Sequence, residues 1–273
     1  MKIIQQTNMT DIQSMGYTIV AESGHVLVVD GGDAGNDQEL KRIIKCVGGR
    51  VDLWLLTHPH KDHYTAIIQT ITNPEGVTYE RIGSSWLPDE WEQPIAQWEL
   101  DELHAWNIFA RTLDDRYFEI QEGQRFQLGS MTVEVLSAAN PDLTMNFGNN
   151  QSCVFRVSEA DFTVLFLGDL GAEAGKRLME KKYDLKADAV QMAHHGQNGV
   201  EESVYQEISP QYAFWPTPKW LWENAPYPGG GAGEGPYATL EVIGWMDKLG
   251  THNITAFDET VVFDSKTKKI AIF

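Results

Sequence analysis

Six residues constrain this chain more than any other feature: His58-Pro59-His60-Lys61-Asp62-His63, set directly behind the apolar run Val51 to Leu56. A nearly unbroken apolar run of this length predicts a strand covered on both faces, as in a sheet flanked by helices. Pro59 biases His58 away from helical geometry, and two imidazoles one residue apart in extended chain project to the same side. Asp62 and His63 then fall in the first turn of a helix expected from near Asp62 to about Ile71. Four nitrogen and oxygen donors within six residues can serve two neighbouring divalent ions, and the mixture suits zinc, iron or manganese. A histidine-rich surface loop is the plainer explanation. Against it, five of the eight histidines fall in just two places, 58 to 63 and 194 to 195.

The rest of the chain repeats the theme of an apolar strand ending in a polar donor. Residues 17 to 29 read as two strands broken at Ser23-Gly24, the second running into Asp30-Gly31-Gly32. Leu40, Ile43, Ile44 and Val47 follow at helical spacing, stopped by Gly48-Gly49. Phe162 to Leu167 ends at Gly168-Asp169, passes through a helix around Ala172 to Lys182, and returns as the strand Ala187 to Met192, ending at His194-His195; this is a βαβ unit. In α/β proteins the crevice beyond the carboxyl ends of the strands is where loops leave room for a ligand. Asp30, His58, His60, Asp169, His194 and His195 are therefore expected to converge.

Between these landmarks the signals are weaker. Residues 74 to 118 are rich in Trp, Pro and acids and read as an insertion, with Ile95, Trp98, Glu102, Trp106, Phe109 and Leu113 tracing one helix face. Glu119 to Leu136 carries turns at Glu122-Gly123 and Gly129-Ser130 and reads as a β meander, followed by a strand at Cys153 to Val157. A loop with Pro226 and Gly229 to Gly231 precedes a helix near Thr239 to Leu249 and short strands through Val262 and Ile272. That loop has no lysine and joins no strand to a helix, so it reads as a mobile loop or lid rather than a phosphate cradle.

In its motifs the sequence resembles the metallo-β-lactamase-fold superfamily: Asp30 in Val-Asp-Gly-Gly, Thr57 to His63, Asp169 in Leu-Gly-Asp, and the late His195-Gly196. Asn150-Gln151-Ser152 before a strand and Ala193-His194-His195-Gly196 look most like the metallohydrolase domain of competence proteins and the bacterial phosphorylcholine esterases. The resemblance implies an α/β fold, a four-layer αββα sandwich with two mixed β-sheets, as a single domain over 1–273. It further implies two divalent ions, zinc first with manganese or iron as alternatives. His58 and His60 would bind one ion, Asp62 and His63 the other, and Asp169 both, with Asp30 behind them. The activated water would attack phosphorus or a carbonyl carbon. Asp62 would also orient it, and whichever of His194 and His195 does not bind metal would steady or protonate the leaving group; the assignment made here is His195 as ligand and His194 as acid.

Two features depart from that pattern. No histidine occurs from 105 to 193, where many members have one, and only Asn149, Asn150 and Ser152 stand near the expected place. If His195 fills that position, the second ion lacks a late histidine, since His252 lies in a turn-like Thr-His-Asn. The second site is then weak or vacant, or is completed by a water, Tyr227, Tyr237 or another carboxylate.

Composition narrows the partners. With 21 Lys and Arg against 39 Asp and Glu, the formal charge is −18. A chain so acidic, without a basic patch, is not expected to bind nucleic acid, and a small-molecule substrate is expected instead. Two cysteines, Cys46 in a helix and Cys153 in a strand, exclude a disulfide framework, and both are expected buried. Met1 to Met15 has no signal-peptide pattern and no stretch is apolar enough to cross a membrane, so a cytoplasmic protein is expected. The nine tryptophans include four in the insertion and Trp215, Trp220 and Trp222 after the His-His segment. An aromatic pocket for a choline-like cation, a sugar or a base is one use of them. Core packing is the commoner one, and Trp98 and Trp106 on an apolar helix face are expected there.

The resulting expectation is a metal-dependent hydrolase of a small-molecule phosphoester. A nuclease, a carboxylic ester, thioester or lactam hydrolase, and a metal-binding scaffold without catalysis are the alternatives.

Overall fold

Alternation along the strands sets the layers. The structure, a computed structural model, describes residues 1–92 and 95–273. The first half of the chain contains β1 (Lys2–Gln5), β2 (Gly16–Val20), β3 (Val26–Asp30), α1 (Asp37–Cys46), β4 (Arg50–Val51), β5 (Leu53–Leu55), α2 (Lys61–Thr72), β6 (Thr78–Tyr79), β7 (Ile82–Ser84), α3 (Gln97–Ala110) and β8 (Tyr117–Glu119). In β3, Leu27 and Val29 face the second sheet while Val26 and Val28 face the helices; in β5, Leu53 and Leu55 face inward and Trp54 outward. The outward side chains pack on Leu40 and Ile44 of α1, Tyr64, Ala66 and Ile67 of α2, and Trp106 of α3. Period-2 apolar residues on both faces are what a sheet buried on both sides requires.

The second half contains β9 (Arg125–Leu128), β10 (Met131–Ser137), α4 (Phe147–Asn150), β11 (Val154–Glu159), β12 (Phe162–Phe166), α5 (Ala172–Glu180), β13 (Ala189–Gln191), α6 (Glu202–Ile208), β14 (Tyr212–Trp215), α7 (Lys219–Trp222), α8 (Thr239–Leu249), β15 (His252–Thr255), β16 (Val261–Asp264) and β17 (Lys269–Ile272). Val133, Phe155, Val164, Phe166 and Phe214 join the inter-sheet core, whereas Leu165, Val190 and Trp215 face α5, α6 and α8. The result is the expected four-layer αββα sandwich. One sheet has the order β17-β16-β1-β2-β3-β5-β7-β8 and the other β15-β14-β13-β12-β11-β10-β9, each mixing parallel and antiparallel pairs.

Several local expectations are corrected. The run Val51 to Leu56 is two strands, because Asp52 accepts a hydrogen bond from Val26 N (2.7 Å) and turns β4 aside to pair with β6. The stretch 74–118 contributes β7 and β8 to the first sheet, so the excursion from the sheet is confined to 85–116; residues 93 and 94 of it lie outside those described. Glu119 to Leu136 is not a three-stranded meander. Gly129-Ser130 does close the β9–β10 hairpin, but β8 belongs to the other sheet and residues 120–124 cross between sheets. Cys46 is exposed, while Cys153 is buried.

Parallel pairing positions the site. β3 runs parallel to β5 and β12 parallel to β13, so Asp30 and Thr57 leave one sheet side by side, and Asp169 and His194 leave the other. The two sheets meet here: Cys153 N donates to Thr57 O (2.8 Å), and a Cβ on Gly168 would come within 2.8 Å of Thr57 Cβ. Gly168 also has a φ of +57°, so both space and backbone favour glycine beside Asp169. No helix among the described residues is long and apolar enough to cross a membrane.

Candidate metal centre

The first sheet delivers its donors through a hydrogen-bonded base. Asp30, fully buried, accepts from Thr57 N (2.7 Å) and Thr57 Oγ1 (2.8 Å), and its Oδ2 lies 2.7 Å from His63 Nδ1. Thr57 Oγ1 is in turn 3.1 Å from His58 Nδ1. Each imidazole is thus fixed through Nδ1, which leaves Nε2 to face the centre, and both Nε2 atoms are buried without a partner. His60 has extended backbone (φ −92°, ψ 146°) at the start of α2, and Asp62 and His63 follow in the first turn. The turn is held by Gly31 N donating to His63 O (2.9 Å) and Met15 N to Asp62 O (3.1 Å).

In the second sheet a buried glutamine does the corresponding work. Gln191 Oε1 accepts from Leu167 N and Gly168 N (both 2.8 Å), and Nε2 donates to Gly168 O (3.0 Å), so the strand carrying the His-His segment clamps the loop carrying Asp169. Ser152 Oγ accepts from Asp169 N (3.0 Å). His194 and His195 both sit in the left-handed region (φ 50° and 54°), a conformation that costs on the order of 1 kcal/mol or more per residue. It separates the two rings. His195 is fully buried with Nδ1 2.8 Å from Pro216 O, while His194 is half-buried at the rim, with Nδ1 3.1 Å from Asn198 O.

Asp62, His63, Asp169 and His195 present donor atoms all within 4.8 Å of one another. His195 Nε2 is 3.1 Å from Asp62 Oδ2 and 3.3 Å from Asp169 Oδ2, and His63 Nε2 is 3.3 Å from the same Asp169 oxygen. The rings of His58 and His60 stand beside this group, with the His58 centroid 4.2 Å from that of His63 and 4.6 Å from that of His60. Asp169 Oδ1, like the His58 and His63 Nε2 atoms, is buried with no hydrogen-bond partner. Unsatisfied buried polar atoms cost about 1–3 kcal/mol each, so several together fit residues built to surround a cation. The donor set of imidazoles and carboxylates suits a divalent transition metal.

Electrostatics divides the donors into two kinds. Burial disfavours the charged form of every one of these groups. At His195 the Asp169 and Asp62 carboxylates outweigh burial and lift the pKa to about 10, and at His63 the same two, with Asp30, lift it well above the usual histidine value. Reciprocally, burial would raise Asp62 and Asp169, but His63 and His195 hold both below the usual carboxylate range. At His58 and His60 burial prevails: His58 is pushed well down and His60 to about 4.

A cleft of about 330 Å³ opens over the centre, lined by His60, Asp62, Asp169 and His194 with Ile12, Gln13, Lys61, Trp98, Glu102 and Asn149. Trp98 corrects an expectation. Trp106 is in the core, but Trp98 is 56% exposed and its ring lies 5.4 Å from that of His60, at the mouth of the cleft. Ile12 and Gln13 were not singled out from sequence, and nothing in their local pattern marks them. His195 lies with Asp62 and His63, not in the position of the absent histidine. Of the three candidates for that position, Asn150 is bonded to Met145 O and Glu173, Ser152 serves Asp169 N, and only Asn149 reaches the cleft. Tyr227 is 63% exposed, Tyr237 OH donates to Pro226 O, and neither lines the cleft; His252 is exposed at the start of β15.

Among solved structures, the YhfI protein of Bacillus subtilis, a metallo-β-lactamase fold protein, is similar over 97% of this chain and 100% of that one, with a TM-score of 0.57 at 13% identity. The chain has the metallo-β-lactamase fold. Zinc-bound PqqB of Methylobacterium extorquens is similar over the same shares, with a TM-score of 0.56 at 9% identity. A variant of the CmlA β-hydroxylase is similar over 92% of this chain and 52% of that one, with a TM-score of 0.54 at 14% identity. One of these three neighbours is named for a hydroxylase chemistry. ComE operon protein 3 of Bacillus subtilis is 29% identical over 96 residues, 35% of this chain and 12% of that protein, in keeping with the resemblance to the competence-protein domain. The match thus spans about an eighth of that relative. No family model matches the chain.

Proposed function

We propose that the chain is a metal-dependent hydrolase acting on a phosphoester of a small molecule. The observation that carries this reading is Asp169: one carboxylate oxygen contacts His63 and His195, the other is buried and unpartnered, and the same carboxylate bears electrostatically on His58 and His60. On this reading Asp62, His63, Asp169 and His195 hold one divalent ion, His58 and His60 with Asp169 hold a second, and zinc is the first expectation for both. Such ions, when bound, supply Lewis acidity, making a water nucleophilic near neutral pH and taking up charge that develops on oxygen. The chain's own residues do the rest. Asp62, at the cleft floor, orients the water through its carboxylate. His194 stands in the cleft wall with Nδ1 held on Asn198 O, placed to serve the leaving oxygen.

The cleft supports a small substrate, and the formal charge of −18 disfavours nucleic acid. Two free thiols suit a reducing compartment, and we place the activity in the cytoplasm. The test is turnover of bis(p-nitrophenyl) phosphate and p-nitrophenyl phosphate by protein loaded with zinc, manganese or iron, beside a His60→Ala variant. Turnover lost in the variant supports the proposal. Metal-loaded protein inert on phosphoesters but active on p-nitrophenyl acetate or a lactam moves the chemistry to carbonyl carbon; metal bound with no turnover on either panel makes the chain a binding scaffold.

A further inference from the structure

Resting on the metal-dependent reading above, we infer that Asn149 supplies, through its side-chain Oδ1, a ligand to the ion held by His58 and His60. The chain has no histidine from 105 to 193 to serve there. Asn149 belongs to the single turn α4, which is pressed against the metal centre: a Cβ on Gly148 would stand 1.9 Å from His60 Nε2, a distance only glycine permits. The absence of a side chain at Gly148 lets α4 pack against the His60 ring, whose Nε2 is buried with no hydrogen-bond partner. It also brings the next residue, Asn149, to the wall formed by His60, Asp169 and His194.

The amide itself is oriented. Asn149 is only 6% exposed, and its Nδ2 donates to Asn146 Oδ1 (2.9 Å) and lies 3.3 Å from His194 Nε2. With the nitrogen engaged on that side, Oδ1 faces the other way, buried and without a donor. Its neighbours are not in this state, since Asn150 Oδ1 accepts from Ala174 N and Ser152 Oγ from Asp169 N. A buried carbonyl oxygen without a donor, sharing the cleft wall with His60 and Asp169, is satisfied by a cation. An amide oxygen is a neutral, hard donor, weaker toward zinc than an imidazole and better matched to manganese. The two ions are therefore unequal: the one among Asp62, His63, Asp169 and His195 binds first, and the one at His58, His60 and Asn149 binds later, exchanges faster and discriminates less between zinc and manganese.

Calorimetric titration of the chelator-stripped full chain with zinc, and separately with manganese, tests this without reference to turnover. Wild type is expected to take two equivalents of unequal affinity. In Asn149→Ala the second should weaken by about 100-fold or vanish while the first stays within about threefold, since loss of a ligand exceeds the effect of losing a supporting group. Asn149→His should tighten the second equivalent for zinc and widen the preference for zinc over manganese. Both equivalents binding to Asn149→Ala as in wild type, or one wild-type equivalent indifferent to these substitutions, overturns the assignment and leaves the metal-dependent reading standing. No binding by wild type overturns both. If Asn149→Ala fails to fold, as judged by thermal unfolding, Asn149→His decides alone: an unchanged zinc-to-manganese ratio sinks the proposal.

Discussion

Four buried imidazoles within one centre behave in opposite ways. His63 and His195 sit against the carboxylates of Asp62 and Asp169 and hold a proton far more tightly than an ordinary histidine; His58 and His60, equally buried and only a ring's width away, give theirs up more readily. Residue type and burial are the same in both pairs, so contact with a carboxylate decides the sign. The first pair is a ready-made cation site, in which a divalent ion replaces protons already attracted there. The second is a set of neutral donors that depends on Asp169 for its share of negative charge. Asp169 is what makes the two halves one centre.

The sharpest way to break the comparison is Asp169→Ala. Both halves lose their common carboxylate, so both metal equivalents should be lost, and turnover should fall by roughly a thousandfold or more, the worth of several kcal/mol of metal assistance. Elemental analysis of protein purified without chelator reads the first effect and p-nitrophenyl ester turnover the second. Retention of one tight equivalent would show that the four-donor half does not need the shared residue.

A more graded result is expected from Asp30→Asn. Asp30 contacts no cleft atom but orients His63 directly and His58 through Thr57 Oγ1. Groups that orient ligands typically contribute 10- to 100-fold in affinity. We expect a loss of that size, larger for the equivalent that includes His63, with metal stoichiometry intact at high concentration. Equal loss at both equivalents would mean that the Thr57 link is as strong as the direct one.

The same contrast bears on what sequence could reveal. Asp30, His58, His60, Asp169, His194 and His195 were visible because each closes an apolar strand, whereas the layer order was expected from the family resemblance. Pairing partners were not visible: β8 and β9 are five residues apart yet lie in different sheets, a choice made by long-range packing. Trp98 and Trp106 fall on neighbouring sides of one helix, yet the Trp106 ring meets the core and the Trp98 ring meets His60. Nor could sequence separate Asn149, Asn150 and Ser152. Three polar residues within four positions differ only in which of them finds a hydrogen-bond partner, and that is a property of the folded α4 turn.

Proton linkage separates the two halves in metal-free protein. His195, raised from 6.5 to about 10, contributes stability that is fully present below pH 6.5 and is lost as pH rises through 10. His60, lowered to about 4, acts in the other direction: the unfolded chain takes up a proton that the native site refuses, so stability is lost as pH falls from 6.5 toward 4. Urea unfolding in chelator should show a loss of up to a few kcal/mol on each side, with His195→Gln reducing the alkaline limb, of which His63 keeps a share, and leaving the part of the acid limb between pH 6.5 and 4 that belongs to His60. Saturating zinc should flatten the alkaline limb too, since the ion takes the place of the proton. An alkaline limb unchanged in His195→Gln would show that the carboxylates do not hold that proton.

The smallest effect should come from Trp98→Ala, and it sharpens the comparison because Trp98 touches only the His60 half. Its exposed ring stands at the cleft mouth, 5.4 Å from the His60 ring, where a flat substituent on the substrate would stack. Aromatic pairs contribute about 0.5–1.5 kcal/mol beyond buried area, which corresponds to about a 2- to 12-fold change in binding. For an aryl phosphodiester, KM should rise by that factor with kcat and both metal affinities nearly unchanged; for a methyl ester lacking an aryl group, KM should hardly move. If instead kcat falls at constant KM, or the weaker metal equivalent loosens, Trp98 is steadying His60 rather than meeting substrate. The asymmetry between the two halves would then extend from the donors to their supporting side chains.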